Sequence, residues 1–307
     1  MALVFLGLLT VQTSVKAGSI TNNFNNSLDY LANGVPGSMW DGVYLGFGDV
    51  PGGNDAGDVG YSLQANETAN AGFLTVQSSQ TDWAGSGDDG FFLWKTVAGD
   101  FDVSVQNVEP FESPAYHMGG LLVRAFTTNG PAWGAPFGGS ENSVYLPRFQ
   151  EFGIDEDIRY TTNGIDMDGY ISVPGTDSDT NTSRYFRITR VGDVFSFYTK
   201  TNQSDAWALH GSLTRSDLAG VPMQVGIADS TFGSSTPTTF YTDFELTGTN
   251  VTATVTRPTD PSGLVATILN PTQVKFSWTP GAGSAGSILV IRKNNALVMS
   301  DKPIDGY

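Results

Sequence analysis

Cysteine is absent from the chain, and histidine occurs only at His117 and His210. The first absence excludes thiol catalysis, Cys-ligated zinc and disulfides, so stability has to come from the core or from bound ions. Neither histidine stands in a His-x-x-x-His spacing, and there is no Gly-x-Ser-x-Gly elbow and no phosphate-binding glycine loop. The stretch Gly46–Gly57 is rich in glycine but offers no lysine and no helix start, so it reads as turns. Basic residues are few: 15 Lys and Arg stand against 31 Asp and Glu, a net charge of −16. Clustered cations are what phosphate backbones require, so nucleic acid is excluded as a partner. The longest apolar run, residues 3–11, is too short to span a bilayer. Helical periodicity is almost missing, with only Arg215–Leu218 suggesting one turn.

What is present is the chemistry of short strands. The chain has 37 Gly and 15 Pro spread along its length, and 12% of its residues are aromatic. Alternation with period two recurs. In Asp100–Gln106, Phe101, Val103 and Val105 face one way, and Asp100, Asp102, Ser104 and Gln106 the other. In Tyr185–Arg190, Phe186 and Ile188 oppose Arg187 and Thr189. Val191–Lys200 is a hairpin pattern turning at Gly192-Asp193. The fold class that follows is all-β.

Four segments divide the chain. Residues 1–17 read as a signal peptide with a clipped basic region, because Val15-Lys16-Ala17 places small residues at the positions a signal peptidase selects. Residues 18–249 form the main domain, 250–260 a stiff Thr/Pro linker, and 261–307 a second unit. The order Ala98–Val105, then Gly119–Arg124, a strand ending near Arg159, the Phe186–Tyr198 hairpin, Trp207 after the Lys200–Ser204 turn, Val225–Ile227 and a closing strand Phe240–Leu246 resembles the concanavalin A-like jelly-roll modules of secreted bacterial proteins that handle polysaccharide. The resemblance covers residues 20–247 and implies a β-sandwich. In the second unit, Pro261–Ala266, Val274–Trp278 and Ser287–Lys293 resemble strands A, B and C of a fibronectin type III domain. A complete domain of that class has about seven strands over ~100 residues. The expectation is therefore a truncated domain, with further domains of the same chain beyond Tyr307.

Three groups of side chains are candidates for function. In Phe149–Arg159, a regular strand would put Glu151, Gly153, Asp155 and Asp157 on one face and Phe152, Ile154 and Ile158 in the core. Residues i and i+2 lie about 6.6 Å apart along a strand. Retaining glycosidases need carboxyl groups about 5–5.5 Å apart and inverting ones about 6.5–9.5 Å. The jelly-roll resemblance implies a Glu-x-Asp-x-Glu pattern for laminarinase-type hydrolysis, from which this spacing departs. Asn25 and Asp29 near the first strand, with Asp243 on the last, match where similar modules hold a structural Ca²⁺; Asp41, Asp49, Asp55 and Asp58 are an alternative oxygen set. Trp133 in a Gly/Pro loop, with Trp83, Trp40 and Tyr145, is the expected sugar platform, drawn from a wider set that includes Trp94, Tyr116 and Trp207. Trp94 alternates with Phe92 and is expected in the core. The leading functional expectation is a secreted polysaccharide-binding module. The alternatives are a glycoside hydrolase acting on a β-glucan through Glu151, Asp155 and Asp157, and a purely structural surface component.

Overall fold

A computed structural model describes residues 17–35, 37–45, 61–81, 83, 90–108, 116–125, 142–150, 154–162, 165–171, 183–232, 235–249, 251, 262–270 and 273–279. The described strands are β1 (Ala17–Asn22), β2 (Gly42–Leu45), β3 (Tyr61–Asn66), β4 (Leu74–Ser79), β5 (Phe91–Val108), β6 (His117–Ala125), β7 (Asn142–Gln150), β8 (Ile154–Asp155) and β9 (Ile158–Thr162). They continue as β10 (Ile165–Ile171), β11 (Ser183–Val191), β12 (Val194–Lys200), β13 (Ala208–Thr214), β14 (Met223–Thr231), β15 (Thr238–Thr249), β16 (Ser262–Asn270) and β17 (Gln273–Thr279). A short helix α1 (Tyr30–Asn33) and a 3₁₀ turn at Ser216–Leu218 complete the elements. Among the described residues, no helix is long and apolar enough to cross a membrane.

All pairings between the described strands are antiparallel; β1 to β15 form two layers, and β16 and β17 pair only with each other. The first layer runs β4–β15–β5–β11–β12–β13, with β3 outside β4 and β1 beside the far end of β15. The second runs β2–β5–β14–β6–β7–β9–β10, with β8 folded back on β7. One strand belongs to both. Phe91–Val97 of β5 pairs with β14, and Phe101–Val108 pairs with β11. The crossing lies at Ala98-Gly99-Asp100, where Gly99 takes φ +76°, a conformation a side chain would strain. The core between the layers draws Val103, Val105, Phe186, Ile188, Phe197 and Leu246 from the first and Leu93, Leu121, Val123, Leu146, Val225 and Ile227 from the second. The expected all-β antiparallel sandwich is what forms.

The two halves of β5 differ in exposure for a reason written in their composition. The second half alternates buried and half-buried residues, as one solvated face requires. The first half, Phe-Phe-Leu-Trp, is buried on both faces. Phe92 and Trp94 point away from the main core into a second apolar cluster with Tyr44, Trp83, Met118, Leu122, Tyr145, Phe149 and Ala228.

Buried polar groups tie the ends of the sandwich together. Between the layers, Asp229 accepts from the Ser78 hydroxyl (3.0 Å) and the Tyr241 hydroxyl (3.0 Å) and lies 3.2 Å from Nε2 of His117. His117 also contacts the Thr239 hydroxyl at 3.1 Å. Gly119 makes room for this network, because a Cβ there would stand 2.4 Å from the Tyr241 hydroxyl. At the β5 crossing, Asp100 accepts from the backbone N–H of Gly192, the turn residue of the β11–β12 hairpin at φ +63°. Arg190 donates to three backbone carbonyls: Gly192 (3.0 Å), Val221 (2.8 Å) and Leu218 (2.5 Å). Arg215 donates to the carbonyls of Ser143 (2.7 Å) and Thr161 (2.8 Å) and forks onto Asp217.

The last described hairpin, β16–β17, forms from two of the three segments compared with fibronectin type III; the third, Ser287–Lys293, lies outside the described residues. Residues 1–16 of the expected signal peptide also lie outside them, and the β1–β15 ladder begins at Ala17.

Two predictions follow from these latches. Replacing Arg190 by Met should leave three backbone carbonyls, the one at Leu218 buried, without their donor and cost about 2 kcal/mol in denaturant unfolding, and a loss under about 0.5 kcal/mol would contradict that role. Arg215, chiefly by its hydrogen bond, holds the Asp217 carboxyl below its usual 3.8 against the opposing effect of burial. A depressed carboxyl stabilises above its unfolded value and loses that contribution as pH falls through the folded one. Asp217→Asn should therefore be about 0.5 kcal/mol less stable than the parent at pH 7, discounting for exposure. The gap should narrow below pH 3.8. Thermal melts at pH 7 and pH 3 test this, and a constant gap would contradict it.

Candidate functional site

The outer face of the first layer carries a cleft of about 230 Å³ lined by Asp102, Ser104, Arg187, Trp207, Glu245 and Thr247. Period-two alternation turns each of the strand residues outward, and the register makes them neighbours. One rung crosses four strands: Glu245 of β15 opposes Ser104 of β5, Ser104 opposes Arg187 of β11, and Arg187 opposes Tyr198 of β12. The next rung sets Thr247 against Asp102 and Asp102 against Thr189.

Charge is paired in this face without being buried. Arg187 forks onto Asp102 through Nε (2.8 Å) and Nη2 (2.6 Å), with 28% of the arginine and 43% of the aspartate side chain exposed. That hydrogen bond, more than any other influence, raises the guanidinium above its ordinary range. The guanidinium carbon lies 5.2 Å from the Tyr198 ring centre and 5.7 Å from that of Trp207.

Trp207 reaches the face through local turn chemistry. Asp205 accepts from the backbone and side chain of Asn202, closing the turn after β12. Lys200 donates to the Gln203 carbonyl (2.6 Å), with its ammonium 4.7 Å from Trp207 and 5.0 Å from Tyr185. The rings are held by the protein's own cations, while the hydroxyls and carboxylates between them face solvent. Such a surface can hydrogen-bond a small polyhydroxylated ligand: carboxylates accept, guanidinium donates, and hydroxyls do both.

The expected platform is not where three of its four residues lie. Trp40 is 1% exposed and packs on Phe244 at 4.7 Å; Trp83 is 8% exposed and donates from Nε1 to the Phe91 carbonyl; Tyr145 is 2% exposed. Space for the Trp83 ring comes from Gly90, where a Cβ would sit 1.9 Å from Nε1. Buried faces cannot stack on a pyranose, so these residues are core. Trp94, expected in the core, is buried and stacks on Phe92 at 5.4 Å. Trp133 lies outside the described residues.

The carboxylate strand is corrected as well. Phe149–Arg159 is not one strand, because β7 ends at Gln150 and the chain reverses so that Phe149 pairs with Asp155 and Gln150 with Ile154. The i to i+2 spacing therefore does not apply to Asp155 and Asp157. Asp157 is buried against Arg159 at 3.2 Å, and Arg159 lies 4.4 Å over the Phe149 ring. Glu151 is outside the described residues, as is the side chain of Asp155. Glu156, which the alternation passed over, is buried and ion-paired with Arg184.

The first and last strands are neighbours as expected, but Asn25, Asp29 and Asp243 are not gathered. Asp29 caps α1, accepting from the N–H groups of Leu31 and Ala32 at 3.0 Å. It bridges Asn66, which pairs with Thr75, which pairs with Phe240 on β15. Three strand spacings make that separation about 14 Å. Asn25 is exposed near Gly72, and Asp243 is exposed near Tyr185, whose hydroxyl is raised by burial and then by that carboxylate. Among the described residues no group of three or more acidic or histidine side chains is placed to hold a metal ion. Asp41 of the alternative set is paired with Lys95 at 2.5 Å, and the rest of that set lies outside the described residues.

Period-two alternation turns Asp102, Ser104 and Arg187 outward and Trp207 stands among the candidate aromatics, but only the strand register brings them together. Glu245 and Tyr198 carry no local signal and reach this face through the register alone.

Trp40→Ala should destabilise the protein by about 3–5 kcal/mol in denaturant unfolding. A cost below about 1 kcal/mol would put that indole back at the surface.

No family model matches the chain, and no curated protein is similar to it in sequence. Among solved structures, it is similar to a functionally unknown protein from Saccharomyces cerevisiae, at 17% identity and a TM-score of 0.45 over 61% of this chain and 90% of that one. It is similar to the GH43 BlXynB protein from Bacillus licheniformis at 12% identity and a TM-score of 0.44, over 59% of this chain; it spans 34% of that chain. The basic winged bean lectin with Tn-antigen is 13% identical, with a TM-score of 0.41 over 76% of this chain and 98% of that one. None of the three reaches a TM-score of 0.5, and no residue role is carried over from them.

Proposed function

We propose that this chain is a lectin-like jelly-roll module that binds polysaccharide outside the cell, as part of a larger secreted protein. The observation that carries the reading is the rung Glu245–Ser104–Arg187–Tyr198, with the Asp102 fork and Trp207 beside it, open to solvent on the outer sheet face. Vicinal sugar hydroxyls suit adjacent carboxylate and guanidinium groups, because each hydroxyl both donates and accepts. A shallow site on a sheet face also lets a long polymer pass, which an enclosed pocket does not. Export is supported by the apolar run at residues 3–11 followed by Val15-Lys16-Ala17.

The test is affinity electrophoresis of the purified protein in gels containing hydroxyethylcellulose, xylan, galactomannan, β-1,3-glucan or pectin. At least one polymer should retard the parent, and Trp207→Ala and Arg187→Ala should each weaken that retardation about tenfold, equivalent to about 1.4 kcal/mol. Retardation by no polymer, or full retention in both variants, would reject the reading. Loss in Trp133→Ala with full retention in Trp207→Ala would move the site to the Trp133 loop.

A further inference from the structure

Among the described residues, Glu245 is the charge of the cleft lining that no ion pair or side-chain hydrogen bond takes up. Arg187 is occupied by Asp102 through two of its donors, so those two charges cancel. Lys200 is turned toward the Gln203 carbonyl and the rings of Trp207 and Tyr185, and the exposed Asp243 carboxylate lies near the same Tyr185. Glu245 stands across Ser104 from Arg187, exposed, and raises the arginine's pKa only weakly compared with Asp102. Counting Asp102, Glu245 and Arg187, the lining of the cleft carries one net negative charge. A carboxylate or sulfate entering beside Ser104 would meet this charge in a partly desolvated space, where repulsion is stronger than in bulk water. A neutral hydroxyl would donate to it instead, and a protonated amine would do so with added attraction.

Resting on the glycan-binding reading, we infer that the cleft selects uncharged and amino-bearing glycans over polyuronates and sulfated glycans, with Glu245 as the residue that sets the discrimination. The chain's overall charge of −16 repels anionic polymers everywhere on its surface. The inference is narrower: the preference resides at one position.

Matched polymers separate the two effects. The parent, Glu245→Gln, Glu245→Lys and Asp193→Lys are run in gels containing hydroxyethylcellulose or carboxymethylcellulose, and methyl-esterified or unesterified polygalacturonate. Binding of chitosan oligosaccharide is measured alongside by calorimetry. Asp193 lies in the turn of the β11–β12 hairpin, so its lysine variant makes the same change in net charge outside the cleft lining. The parent should prefer the neutral member of a pair by at least about tenfold, and Glu245→Lys should erase most of that ratio. Asp193→Lys should leave it nearly unchanged. Chitosan oligosaccharide should lose affinity in Glu245→Gln. Equal binding of both members by the parent, or equal effects of the two lysine variants, would overturn the inference while leaving glycan binding intact. No binding by the parent to any of these probes would overturn the inference, and the glycan-binding reading falls with it only if xylan, galactomannan and β-1,3-glucan also fail to retard the parent. Melting curves of each variant separate loss of recognition from loss of fold.

Discussion

A single strand hydrogen-bonded in both layers is the constraint from which the rest of this sandwich follows. β5 gives its first seven residues to one sheet and its last eight to the other, so the layers cannot slide without breaking one of its ladders. The corner needs a residue free of Cβ strain at positive φ, and Gly99 supplies it. Alternation survives the corner: Leu93 and Val97 before it and Phe101 and Val103 after it all enter the same core. Asp100, beside the glycine, anchors the neighbouring hairpin through the Gly192 amide, so one turn holds another.

The polar groups at the ends of the sandwich extend the same logic. An apolar core fixes which faces meet but is tolerant of small displacements, because burial is non-directional. Hydrogen bonds are directional and costly to leave unmade when buried. Arg190 and Arg215 each collect carbonyls from more than one segment, and the Asp229 network joins β4, β6, β14 and β15 between the layers. Register is thereby set at the ends while the middle is filled by Val, Leu, Ile and Phe. The outer rung of Glu245, Ser104, Arg187 and Tyr198 inherits its alignment from that register.

The bulge in β15 shows how one residue decides what a surface offers. Between Thr242 and Glu245 the strand advances three residues while β5 advances two, and Asp243 takes φ +51°. Strict alternation would put Tyr241 on the same face as Asp243 and Glu245, leaving the Tyr241 hydroxyl far from Asp229. The extra residue reverses the parity, so Tyr241 and Phe244 are both buried and Glu245 faces the cleft. Asp243, read from its place on the last strand as a cation ligand, is the residue that absorbs this bulge.

The sequence by itself determined the all-β class, the outward faces of Asp102, Ser104 and Arg187, the hairpin at Gly192-Asp193 and the core position of Trp94, because all of these depend on period two and local turn chemistry. Other features were legible only in part. Phe-Phe-Leu-Trp signals burial on both faces, whereas Trp40 and Trp83 beside glycine and aspartate read as loop aromatics although their rings are enclosed. Tertiary structure alone decided that the Phe149–Arg159 segment reverses on itself, that Asp29 caps a helix, and that Trp207 returns over β11. These outcomes depend on which strands are neighbours and in what register. That choice is made by long-range pairing across the chain, which a local pattern does not contain.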